Sequence, residues 1–186
     1  MTSEPRAGML LVATRGLEDP NFAESVVLLL DSDEDGALGV VVNRPSPVHV
    51  ADVLEGWRDV VGEPDVLFRG GPVSPDGALA LGRPQDPGAP PVGYREIVPG
   101  LGVLDLDTPV ELVEGGLGDL RIFVGYAGWG PGQLEDEIAE GSWHVVAGRV
   151  ADAFSVAPHD LWRDVLRRQP GSLAWTSTQP ADPSLN

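Results

Sequence analysis

The sequence predicts an α+β chain: one domain built on a mixed β-sheet, with short helices packed on it. Three observations point there. Glycine (24) and proline (18) fill 42 of the 186 positions, which favours short elements joined by tight turns over long helices. Hydrophobic residues make up 42% of the chain, enough at this length for one substantial core. The apolar runs are also short and rich in β-branched residues, as in SVVLLL at Ser25–Leu30, the composition of buried strands.

Taken in order, Met9 to Thr14 reads as a first strand, and Asp19-Pro20-Asn21 as a turn that returns Phe22 toward the core. Ser25 to Leu30 has no polar alternation after its serine, which predicts a central strand covered on both faces. Asp31 to Gly36 is an acidic turn, and Ala37 to Asn43 returns as the hairpin partner until Arg44-Pro45 stops it. Val50, Val53, Leu54 and Trp57 fall at i, i+3, i+4 and i+7, the spacing of a short amphipathic helix. Val66 to Phe68 and Ala78 to Leu81, with the turn Pro75-Asp76-Gly77 between them, read as a second hairpin.

Residues 83–91, RPQDPGAPP, form a surface loop within the domain. Glu96 to Val98 and Gly102 to Leu106 are further strands, and Thr108-Pro109-Val110-Glu111 is a capping-box pattern for a short helix ending near Gly115. That helix leads into a strand at Leu120 to Ala127, an order that allows a crossover unit in the mixed sheet. Gly128, Gly130 and Gly132 then supply backbone freedom around Trp129. The helix that follows has Pro131 in its first turn, Leu134 and Ile138 on one face, and Glu135, Asp136 and Glu137 in the favourable field of its N-terminus. Gly141 ends it, and Trp143 to Ala147 is another strand. Val150 to Phe154 reads as a helical turn, Pro158 to Arg168 as a helix with Leu161, Trp162, Val165 and Leu166 on its apolar face, and Ser172 to Thr178 as an edge strand. The domain is therefore expected to span residues 1–178, with 179–186 as a loose tail.

The formal charge is −17, and all twelve basic residues are arginines. Such a field repels polyphosphates and anionic lipid, so direct DNA binding and membrane association are not expected. A basic protein surface is attracted instead, or the charge serves solubility alone. The absence of cysteine excludes disulfides, thiolate metal sites and a cysteine nucleophile. The opening stretch MTSEPRAGMLLVATRG has an apolar run too short for a signal-peptide core or a membrane span, which gives the expectation of a cytoplasmic protein.

Few patterns suggest chemistry. Asp31-Ser32-Asp33-Glu34-Asp35-Gly36 begins as an EF-hand loop does, but position 12 is Val42, where a bidentate glutamate is needed. A solvated hairpin turn is the expectation, and no metal is assigned. Glycines 125, 128, 130 and 132 lie between strand and helix, where phosphates are often cradled. They match neither a dinucleotide fingerprint nor a P-loop, and three carboxylates follow them. His49, His144 and His159 show no metal-ligand spacing, and no GxSxG elbow occurs. Glu135 and Glu137 are the one carboxylate pair weighed as acid and base, in a chain so acidic that such neighbours arise without catalysis. No cofactor is implied.

The ordered set Asp19-Pro20-x-Phe22-x-x-Ser25-Val26-Val27, Gly36-Ala37-x-Gly39 leading to Asn43-Arg44-Pro45, Gly70-Gly71-Pro72, and Gly125-Tyr126-Ala127-x-Trp129 with Gly132-Gln133-Leu134-Glu135 resembles the AlgH/YqgE family of bacterial proteins over most of the chain. The resemblance implies an α+β fold whose branched sheet curls into a barrel-like core, a cytosolic setting and an indirect role in transcription. Ser32 stands where many members have histidine, so no imidazole occupies that position. Two readings follow. One is a non-enzymatic regulatory or protein-interaction module. The other is a small-molecule sensor or enzyme with a pocket near the Trp129 turn, where Asn43, Arg44, Gly70 and Gly71 are expected to converge. Trp129, Gln133 and Glu135 form the expected recognition surface, with Asn43 and Arg44 as neighbours, and the alternative for Trp129 is a core plug at one end of the sheet.

Overall fold

A computed structural model describes residues 3–179. One domain contains a single branched, ten-stranded sheet with a few short helices on it. The strands are β1 (Leu10–Ala13), β2 (Val26–Asp33), β3 (Gly36–Val41), β4 (Pro45–His49), β5 (Val66–Arg69), β6 (Val73–Pro84), β7 (Tyr94–Val98), β8 (Leu101–Leu104), β9 (Leu117–Trp129) and β10 (Trp143–Val146). The helices are α1 (Val50–Val53), α2 (Gln133–Ala139), α3 (Leu161–Arg167) and α4 (Leu173–Thr176).

The main path runs β10-β1-β2-β3-β9-β6-β8-β7, and β4 and β5 branch from it at β9. Every pairing is antiparallel except β5 with β9. The barrel-like core expected from the sequence is not formed as a closed sheet, because the path ends at β10 and β7 without a ladder between them. Gly8, just before β1, packs on Val98 at the end of β7.

β2 is the central strand that its unbroken apolar run predicts. Val26, Leu28 and Leu30 enter one core cluster with Phe68, Phe123 and the α3 residues Trp162 and Val165. Val27 and Leu29 enter a second with Trp129, Leu134 and Trp143. The period-two alternation of a strand thus becomes two buried faces. A third cluster, Val50, Trp57, Leu67, Leu120 and Ile122, lies under α1.

β9 organises the branch. On one edge Leu117 to Tyr126 pair with β6, while on the other Phe123 and Val124 pair with Phe68 and Arg69 of β5, and Ala127 to Trp129 with β3. Between Arg69 and Val73 the chain therefore crosses β9 from one edge to the other. Gly70-Gly71-Pro72 makes that crossing against Gly125, whose φ is 73°. A Cβ on Gly71 or on Gly125 would run into the other segment's backbone oxygens. This corrects the second hairpin: β5 and β6 are neighbours in sequence yet lie on opposite edges of β9.

Other departures have local causes. The 50–57 helix breaks at Leu54 (φ −130°, ψ 66°) into α1 and a 3-10 turn, Glu55–Trp57. The break rotates the face, so Val50 and Trp57 are buried while Val53 is 59% exposed. The capping-box helix shrinks to a 3-10 turn, Val110–Leu112, with no side-chain cap, since the chain must re-enter the sheet at Leu117. The edge strand at residues 172–178 is instead helical: Gly171 turns with φ 73° and α4 folds back on α3. Pro131 precedes α2, whose cap is Gly132 at φ 76°. Residues 180–186 of the expected tail lie outside the described residues.

Arg121 projects from β9 into the core at 3% exposure. Its guanidinium lies 4.2 Å from the centre of the Phe68 ring and donates to the carbonyls of Glu63 (2.9 Å) and Ala153 (3.3 Å). Burial lowers its pKa to about 10, which still leaves it charged at neutral pH. Among the described residues no helix is long and apolar enough to cross a membrane.

Candidate functional site

The loop between β1 and β2 is shaped by its own short-range bonds. The Asp19 carboxylate accepts from the Asn21 N–H (2.8 Å), and the Asp19 carbonyl accepts from the N–H groups of Phe22 and Ala23. Glu24 takes a left-handed φ of 55°, uncommon for a residue with a side chain. The segment just after β3 holds this loop in place. Buried Asn43 accepts the Val26 N–H through Oδ1 (2.9 Å) and donates through Nδ2 to the Glu24 carbonyl (3.0 Å). Arg44 donates to the carbonyls of Pro20 (3.1 Å), Asn21 and Ala23 (2.7 Å). The Asp-Pro and Asn-Arg-Pro motifs are thus two halves of one clamp.

Beside the clamp is a cavity of about 350 Å³, lined by Pro20, Asn21, Asn43, Arg44, Arg69 and His159 together with Val41 and three motif residues, Pro45, Gly71 and Pro72. Its lining contains no aspartate, glutamate, serine or threonine. Burial lowers the Arg44 pKa first of all; Asp19 opposes that shift and the nearby charge of Arg69 adds to it. The opening is therefore locally cationic on a chain of net charge −17.

The Trp129 turn lies on the other side of the loop. Phe22 packs edge-on to Trp143 (5.6 Å between ring centres) and tilted against Trp129 (6.3 Å), and the two indoles meet each other at 6.1 Å. Trp129 is only 6% exposed and Trp143 only 4%. Both indole N–H groups donate to the same oxygen of Glu137, Oε2, at 2.9 Å. Gln133 Nε2 donates to Oε1 of that carboxylate (3.1 Å), and Gln133 Oε1 accepts the Gly130 N–H (3.0 Å). Leu134 seats the helix on the core, and Glu135 faces solvent.

Asn43, Arg44 and Gly71 meet at the cavity, whereas Trp129 does not line it. The indole forms part of the core cluster beneath α2. Glu135 and Glu137 do not form a facing pair: two residues apart on a helix, they point to different sides, one to solvent and one to the indoles. Of the glycines expected to free the turn, Gly132 alone has a positive φ, while Gly128 sits within β9 and Gly130 follows it without one. The acidic turn is mostly strand, with Asp31, Ser32 and Asp33 paired to Leu38, Ala37 and Gly36.

Sequence reasoning missed Arg69 and His159 as cavity residues and Glu137 as the partner of two tryptophans. Arg69 directly precedes the Gly-Gly-Pro motif, a signal that was open to reading. Gln133 and Glu137, four apart on one helix face, were another. His159 had no such signal.

A family model described as AlgH-like (DUF179) matches residues 10–174. A UPF0301 protein of Streptomyces avermitilis is 57% identical over 183 residues, covering 96% of this chain and 94% of that protein. Another from Streptomyces coelicolor is 56% identical with the same two coverages. Among solved structures, the crystal structure of a protein from Corynebacterium diphtheriae superposes with a TM-score of 0.89 at 32% identity, covering 96% of this chain and 95% of that one. The solution structure of the AlgH protein from Pseudomonas aeruginosa superposes at 0.70 with 30% identity, covering 97% and 98%. Matched over nearly all of its length by sequence and by fold, the chain belongs to the AlgH-like family.

Proposed function

We propose that this chain is a non-enzymatic, cytoplasmic regulatory module that works by binding a protein or small-molecule partner and reaches transcription indirectly. One observation carries the reading: the side chains of Asn43, Arg44 and Gln133 are spent on the fold, and the opening beside them presents two arginines and one histidine without a carboxylate or a hydroxyl nucleophile. Asn43 and Arg44 are engaged with loop backbone, and Glu137 with two indoles and an amide. Catalysis by proton transfer needs a positioned acid and base in reach of one reacting group, and the cavity lining offers no such pair. The net charge of −17 argues for an indirect route to transcription over contact with DNA.

The small-molecule sensor is favoured by the size of the cavity, about 350 Å³, at the small end of ligand sites. Its place shifts from the Trp129 turn to the clamp of Asn43 and Arg44. Exposed Gln133 and Glu135 flank the buried face of α2 and are the residues proposed to meet a macromolecular partner, with Trp129 supporting them from inside. Incubation of the native protein with a metabolite library, followed by mass spectrometry of bound and free fractions, tests the reading. Enrichment of unaltered compounds is expected; catalytic conversion of any of them would overturn it.

A further inference from the structure

The cavity beside the clamp combines features that single out a chemical class. Two of the twelve arginines, Arg44 and Arg69, line one small opening with His159, and they lie near enough for the charge of one to depress the pKa of the other. Asp19 opposes the lowering of the Arg44 pKa, but it lies outside the lining, turned to the Asn21 N–H. Two like charges held together with no acid between them are a cost to the folded state unless an anion joins them.

The donor inventory sharpens this. Arg44 gives three of its five N–H groups to loop carbonyls, so its remaining contribution is a charge held in place, one Nη2–H and the Nε–H. Arg69 and His159 are exposed, and among the described residues neither has an ion-pair partner. Arg69 therefore keeps a free guanidinium fork, the geometry suited to bidentate recognition of an oxyanion. Pro20, Pro45 and Pro72 also line the opening and fix its backbone, which lowers the ordering cost of binding. The acidic surface beyond repels polyanions, so the ligand is small.

We propose that the opening formed by Arg44, Arg69 and His159 binds the phosphate monoester group of a small metabolite. This deepens the reading of the chain as a binding module and rests on it. The dianion places its oxygens between the two guanidinium groups and the imidazole, a charge-assisted arrangement.

Calorimetry at constant ionic strength, with inorganic phosphate, glycerol 3-phosphate, acetate and a phosphoserine peptide as probes, tests the proposal on the full chain. Phosphate and glycerol 3-phosphate are expected to bind, the ester more tightly, and acetate at least tenfold more weakly. Arg69→Gln and His159→Gln alter exposed side chains without hydrogen-bonded partners among the described residues, so melting temperatures should hold while phosphate affinity falls, by tenfold or more for Arg69→Gln. Arg58→Gln, an exposed arginine outside the cavity, makes the same change in net charge and should leave affinity unchanged. The proposal is overturned if phosphate binds no more tightly than acetate, if Arg69→Gln weakens binding no more than Arg58→Gln, or if the peptide binds and glycerol 3-phosphate does not. Phosphate failing while other metabolites are still enriched unaltered removes this inference alone; turnover removes the reading beneath it.

Discussion

Gly71→Ala is expected to abolish the folded state at 37 °C. Gly71 has a φ of 152°, and a Cβ there would fall on the carbonyl of Tyr126 in β9. That atom is backbone inside a paired strand and has nowhere to go, so relief requires pulling the crossing segment off β9. The loss should exceed about 4 kcal/mol, a large share of the roughly 5–15 kcal/mol by which domains are stable. Gly62→Ala is the control: nothing lies within 4 Å of the added methyl and its φ is not positive, so stability should hold or rise by up to about 1 kcal/mol. Soluble yield and urea unfolding of the two variants check this, and equal stabilities would mean that the crossing at Gly125 is wrongly placed.

Glu137→Ala should be the most damaging change on α2. It orphans two buried indole N–H groups, each of which costs about 1–3 kcal/mol when left unpaired. A loss near 3 kcal/mol corresponds to a drop of roughly 6–12 °C in a domain of this size. Glu137→Gln should lose less, because one amide oxygen can take the place of Oε2. Glu135→Ala, at an exposed position, should stay within about 0.5 kcal/mol. Thermal unfolding of the three variants decides the matter; similar losses for Glu135→Ala and Glu137→Ala would contradict the indole–carboxylate network.

The contrast between these two carboxylates shows what was legible in the sequence. β2 could be read because burial on both faces demands an unbroken apolar run, and residues 26–30 supply one. The turn at Trp129 and the helix after it could be read because Gly132, Leu134 and Ile138 are local signals. The path from β5 to β6 could not. A hairpin and a crossing over β9 have the same local sequence, and the choice is made by Gly125, more than fifty residues away in the chain. In the same way the motif order brought Asn43 and Arg44 to notice, but their three-dimensional task, holding loop carbonyls, depends on a loop some twenty residues earlier. Trp129 had two readings open, recognition or core, because a tryptophan on a glycine turn serves either; the carboxylate of Glu137 draws its indole inward. Arg69 and His159 are joined only by the fold.

The central claim is that a small phosphorylated ligand binds at the cationic opening beside the clamp, apart from the face of α2 proposed to meet a macromolecular partner. The most direct measurement is a ¹⁵N–¹H NMR titration of the labelled chain with glycerol 3-phosphate. The account predicts that the largest amide shifts fall on Asn21, Asn43, Arg44, Arg69, Gly71 and His159. Shifts centred on Gln133 to Ala139, with the clamp unchanged, would contradict it.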